Sequence, residues 1–172
     1  MTAGQAEIRI IGVGNSFRSD DGVGIAVARS LRERLSSGVA VLEQSGEGTA
    51  LLEAWKGARA VVLVDAVQSG AAPGTIHRLD ASAGGIPQAF FRYSTHAFSV
   101  AEAVELARAL SQLPPRVIVY GIEGRNFSAG EGLSAEVAEA SAAVAARILD
   151  EVLSLQERET PCTNSPSCQI AS

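Results

Sequence analysis

Five side chains able to do acid–base or metal chemistry stand where apolar runs of this sequence give out. Asp20 and Asp21 are adjacent in IIGVGNSFRSDDGVG (residues 10–24), Asp65 ends RAVVLVD (59–65), His96 lies in YSTHAF (93–98), and Glu123 follows RVIVYGI (116–122). Two ionised carboxylates offset the double charge of a divalent cation, and a neutral imidazole adds a third bond while other coordination positions stay open. An open site suits a ligand brought by a substrate or by solvent. His96 is one of only two histidines in the chain. The other, His77, stands between Ile76 and Arg78 and reads as a surface residue.

Each of these residues also has a plainer reading. Ser19 can cap a helix, with Asp20 and Asp21 as acids at the positive end of its dipole. In that role Asp20→Asn costs only about 0.3–1 kcal/mol. Asp65 can turn a strand end, and His96 can sit in the first turn of a helix. The GVGN turn also has the start of a dinucleotide fingerprint, in which glycines admit a pyrophosphate. Phe17 occupies the position where G-x-G-x-x-G needs its third glycine, and the acid expected about 20 residues on is met by Glu43 only if the spacing is stretched.

Whether these groups meet depends on the elements that carry them. EIRIIGV (7–13), VAVLE (39–43), RAVVLVD (59–65) and RVIVYGI (116–122) are apolar, rich in β-branched residues and bounded by glycine, proline or charge, as buried strands are. Helical patterns alternate with them. DDGVGIAVARSLRERL (20–35) sets Val23, Val27, Leu31 and Leu35 on one face, and AFSVAEAVELARALSQL (97–113) repeats Val100, Val104 and Leu110. A last helix over about 133–155 starts with Ser134 as N-cap and carries Val137, Val144, Ile148 and Leu149. APGTIHRLD (72–80) reads as an edge strand, and Ile76 and Leu79 do not share one face.

The alternation predicts one three-layer α/β domain over residues 1–157, with a mainly parallel twisted sheet of about five strands, helices on both faces and one antiparallel edge strand. In such sheets the ligand crevice lies outside the carboxyl ends of the strands, where strand order reverses. If the first and third strands are neighbours, the loops bearing the Asp20–Asp21 pair, Asp65 and His96 converge there.

Composition excludes several classes of function. Of 172 residues, 47% are hydrophobic and 19% charged, which suits a packed core. A net charge of −5 with no Lys/Arg run argues against nucleic acid as a partner. No apolar run approaches the roughly 20 residues of a membrane span, and the N-terminus lacks a secretory pattern, so a cytoplasmic location is expected. Cys162 and Cys168 lie in ETPCTNSPSCQIAS, part of a tail over 158–172 that reads as disordered and does not define the fold.

The order of short motifs adds a more specific reading. GVGNSFRSDDGVG, then VVLVDAVQSG followed by PGT, then STHAFSVAEAVELA, YGIEG and GEGLSAEV resembles the hydrogenase maturation endopeptidases, over residues 8 to about 153. The resemblance implies an endopeptidase that trims a C-terminal extension from the precursor of the large subunit of a nickel-iron hydrogenase once nickel is in place. It implies Asp21, Asp65 and His96 as the metal-contacting, catalytic set, leaving Asp20 to support the helix end. It further implies that nickel arrives with the substrate rather than being held at rest, which would make trimming a proofreading step. Relatives carry an aspartate followed by glycines and a threonine after the second strand, where this chain has LEQSGEGT (42–49), a difference that bears on which hydrogenase is recognised. Two other readings are a non-catalytic, nickel-sensing module that docks on the same precursor and a Rossmann-like nucleotide binder.

Overall fold

The computed structural model describes residues 8–87 and 99–158, so His96, Cys162, Cys168 and nearly all of the expected tail lie outside the described residues. The chain runs β1 (Ile8–Val13), a 3-10 turn (Ser19–Gly22), α1 (Val23–Leu31), β2 (Val39–Gln44), α2 (Gly48–Trp55), β3 (Ala60–Val67), β4 (Ile76–Asp80), α3 (Val100–Ala109), β5 (Arg116–Glu123) and α4 (Ala135–Glu157). The sheet order is β2-β1-β3-β5-β4. β1 pairs in parallel with both β2 and β3, β3 pairs in parallel with β5, and β4 closes the edge antiparallel to β5. The α/β architecture, the β1–β3 neighbourhood and the antiparallel edge all match the expectation from sequence.

Burial on both faces explains why the strands read as continuous apolar runs. In β3, Val62 and Val64 join Val23, Val27, Leu31, Val137, Val144 and Ile148 in a core beneath α1 and α4. Val61 and Leu63 face the other way, toward Leu51, Trp55, Val100 and Val104 beneath α2 and α3. β4 serves both sides. Ile76 packs on the first core and Leu79 on the second, as an odd spacing in a period-2 strand requires.

Three local expectations change. α1 stops at Leu31, and Leu35 packs at the edge of the core from beyond the helix. α3 ends at Ala109, which leaves Leu110 51% exposed, and Ser111 leaves the helix with a φ of 55°. Small alanines, Ala101, Ala103 and Ala107, complete the buried face that Leu110 is expected to extend. α2 is an eight-residue helix with no counterpart in the sequence reading, anchored by Leu51 and Trp55 one turn apart. Among the described residues, no helix is long and apolar enough to cross a membrane.

Candidate functional site

The chain leaves β1 for β2 on one side and meets β3 on the other, so the rim between β1 and β3 is the point where strand order reverses. Two close approaches shape that rim. A Cβ on Gly24, in the first turn of α1, would lie 2.2 Å from the carbonyl oxygen of Val64, and one on Gly12 would lie 2.2 Å from the carbonyl oxygen of Gly24. Glycine at both positions lets α1 press directly on β1 and β3. The 3-10 turn that precedes α1 therefore begins over the strand ends.

Asp21 sits on that turn and Asp65 on β3, two residues short of its end. They are 6% and 4% exposed. Asp65 Oδ1 accepts the Ala66 N–H at 2.8 Å. Burial pushes the Asp65 carboxyl well above its usual range, and the negative charge of Asp21 raises it further, against the smaller pull of the Ala66 hydrogen bond. Two buried acids near enough for one charge to raise the other's pKa would both be relieved by a cation or a proton. Among the described residues no three His, Cys, Asp or Glu side chains form a metal-holding group, and His96, the third of the expected set, lies outside them.

Asp20 departs from its expected role. It is fully buried, and its carboxylate accepts four hydrogen bonds from the far side of the sequence. Oδ1 takes the Ser134 N–H at 2.7 Å, while Oδ2 takes the Arg125 N–H, the Asn126 N–H and the Ser134 hydroxyl, each at 2.8 Å. Burial pulls this carboxyl upward, but the bonds from Ser134, Asn126 and Arg125 outweigh it and hold Asp20 below the usual range. It is a tertiary anchor, not a local dipole acid. Ser19 is likewise no cap, because it sits at φ 52° and donates its hydroxyl to the Ser128 carbonyl. Ser134 does occupy the N-cap of α4, yet its side chain goes to Asp20 instead of to its own helix.

Glu123, the other candidate acid, is buried at the end of β5 and holds the turn after β3. Its Oε1 accepts the Ser69 and Gly70 N–H groups at 2.8 and 3.0 Å, and its Oε2 accepts the Ser69 hydroxyl at 2.8 Å. His77 is not the surface residue expected. Its side chain is 19% exposed, with Nε2 3.6 Å from Glu123 Oε2.

Past the ends of β1 and β2, Gly14, Asn15, Phe17, Arg29, Glu43 and Glu47 are among the residues lining an open cleft of about 450 Å³, with Phe17 67% exposed. Glu43 lines it, paired with Arg29 at 3.0 Å and Arg32 at 2.9 Å, and its carboxyl is held below the usual range mainly by the Arg29 hydrogen bond. The nucleotide reading loses its footing here. A Cβ on Gly14 would lie 1.9 Å from the Asp21 carbonyl oxygen, so this glycine serves the chain's contact with itself. The turn that leads into α1 presents two buried carboxylates where a pyrophosphate would need donors.

Comparison with known proteins bears on the same residues. The family model described as hydrogenase maturation protease matches residues 25–151, a span that contains Asp65 and His96 and starts four residues after Asp21. A Methanocaldococcus jannaschii protein carrying a provisional hydrogenase maturation protease name is 31% identical over 152 residues, covering 85% of this chain and 96% of that one. The hydrogenase expression/formation protein HupD of Thiocapsa roseopersicina is 28% identical over 121 residues, covering 68% of this chain. This chain spans 54% of HupD and 60% of the related HupM of Azotobacter chroococcum. Among solved structures, the hydrogenase maturating endopeptidase HybD from E. coli superposes with a TM-score of 0.72 at 21% identity, over 86% of this chain and 93% of that one. The maturation protease HycI from Thermococcus kodakarensis gives 0.64 at 23% identity, covering 88% and 95%. These two structures establish the shared fold.

Proposed function

Because this chain belongs to the hydrogenase maturation protease family, we propose that it is an endopeptidase acting on the precursor of a nickel-iron hydrogenase large subunit, removing a C-terminal extension after nickel has been inserted. The observation that carries this reading is the burial of Asp21 and Asp65 together at the β1–β3 rim. Their charges oppose each other until a divalent cation arrives, which turns the same juxtaposition into a favourable one. On this reading the nickel is cargo. It comes held by the precursor, and Asp21, Asp65 and His96 complete its coordination and so fix the extension in the cleft.

Hydrolysis then needs a water placed against the scissile amide. The water oxygen bonds to the carbonyl carbon, the C–N bond breaks and the departing nitrogen takes a proton. The products are a new carboxylate on the large subunit and a free peptide. The gain from positioning appears only when the loaded metal is present, which makes cleavage a check on nickel insertion. No membrane or nucleic acid enters this scheme.

The test mixes purified protein with nickel-loaded and nickel-free precursor and follows the precursor by mass spectrometry. Loss of a C-terminal peptide from the loaded form alone is the expected result. An unchanged mass refutes the enzyme, and nickel-dependent binding without cleavage would identify a sensing module instead.

A further inference from the structure

Two buried carboxylates at this rim, Asp20 and Glu123, take no part in the chemistry proposed above, yet each is spent on bonds to a distant part of the chain. Asp20 gathers backbone and hydroxyl donors that lie 105–114 residues away in sequence. Glu123 does the same for the turn 53–54 residues before it. A buried carboxylate is costly unless its hydrogen bonds are made, so each acid holds its partner loop in one conformation.

Both sets of bonds converge on one stretch, the β5–α4 segment from Glu123 to Ser134. On the Asp21 side, the bonds to Asp20 are reinforced by Asp20 N–H to the Asn126 carbonyl, Ser19 N–H to the Gly130 carbonyl and Gly130 N–H to the Phe17 carbonyl, each at 2.9 Å. The Arg18 guanidinium adds a bond to the Phe127 carbonyl at 3.1 Å. On the Asp65 side, Gly124 N–H donates to the Val67 carbonyl at 3.1 Å, and Glu123 exchanges backbone bonds with Gly74 and Thr75 at 2.8 and 2.9 Å. Asp65 itself lies opposite Gly121 in the β3–β5 register, two residue pairs before Val67 meets Glu123.

We propose that the Glu123–Ser134 segment is a brace that sets the separation between Asp21 and Asp65, with Asp20 and Glu123 as its two positioning residues. The inference rests on the function proposed above for what that separation is used for. Groups that orient metal-contacting residues typically change metal affinity or activity by about 10–100-fold when removed.

The two ends of the brace respond differently to an amide, and this supplies the test. In Asp20→Asn either oxygen that becomes NH₂ faces a backbone N–H, from Ser134 on one side or from Arg125 and Asn126 on the other. In Glu123→Gln the carbonyl, at the Oε1 position, keeps the Ser69 and Gly70 N–H groups at 2.8 and 3.0 Å, and the amide in place of Oε2 gives up only the longer, 3.1 Å branch of the Ser69 N–H bond while donating to a reoriented Ser69 hydroxyl. Steady-state trimming of nickel-loaded precursor, at a temperature where circular dichroism shows each variant folded, should give Asp20→Asn and Glu123→Ala a kcat about 10–100-fold below wild type with KM within about twofold. Glu123→Gln should restore most of the loss. Ser134→Ala, which removes a single bond to Asp20, should cost a few-fold and stands in if Asp20→Asn does not fold. Folded variants that trim at the wild-type kcat overturn the brace. If wild-type protein leaves loaded precursor intact, the proposed function fails instead, and amide hydrogen exchange then decides the brace. Asp21 and Ala66 amides should exchange about tenfold faster in Asp20→Asn and Glu123→Ala respectively, and unchanged protection overturns it.

Discussion

Asp20 and Asp65 lie at the same rim of one sheet, both out of water, and their surroundings drive them in opposite directions. Asp20 is met by four donors and is held below the usual carboxylate range despite its burial. Asp65 has the Ala66 N–H and the charge of Asp21 for company, and is pushed well above that range. One acid stabilises the fold and the other is tolerated by it. Burial alone therefore says little about whether a carboxylate is structural; the donors that face it decide the matter.

The largest expected effect comes from reversing the tolerated acid. Asp65→Asn should bring trimming of nickel-loaded precursor below detection by mass spectrometry and yet raise the thermal midpoint at pH 7. The sign follows from the raised pKa. An acid that titrates higher in the folded state than in the unfolded chain penalises folding as pH climbs from about 3.9 through the folded value, and the neutral amide removes that penalty. A lowered midpoint would mean that Asp65 is structural, erasing the contrast with Asp20.

Asp20→Ala should act in the opposite sense, costing about 3 kcal/mol in urea unfolding because it strands several buried donors. That exceeds the dipole effect expected from sequence severalfold, and a loss under about 1 kcal/mol would restore the dipole reading. The pH dependence is a subtler check. The Asp20 pKa is depressed on folding, so its contribution is complete above about 3.9 and fades as pH falls through the folded value. Replacing Asp20 should therefore flatten the acid limb of the stability profile. The smallest effect belongs to Glu43 on β2, its side chain 25% exposed and paired with two exposed arginines. Glu43→Gln should move the midpoint by no more than ~2 °C, as exposed ion pairs do.

Much of this was legible in the sequence because it was written in side chains. The β-branched runs mark the strands, the proline- and glycine-led APGTIHRLD marks an edge strand whose Ile76 and Leu79 do not share a face, and acids after apolar runs mark the rim. What stayed hidden was written in the backbone. Three of the four donors to Asp20 and both Oε1 donors to Glu123 are main-chain N–H groups, which announce nothing about a partner more than 50 residues away. α2 leaves little trace in the sequence because eight residues offer barely two turns of periodicity. Leu110 departs from expectation because the helical pattern of the sequence continues past the point where Ser111 turns the chain away.

The contact between Gly12 and Gly24 carries a lesson for anyone wishing to transplant this site. Moving Asp21, Asp65 and His96 onto another α/β scaffold would copy the proposed set and lose the ruler. A single methyl group at either glycine would lift α1 off the strands and carry Asp21 outward with it. In this molecule two missing carbon atoms decide how near the Asp21 turn comes to the strand ends, before the proposed brace holds it there.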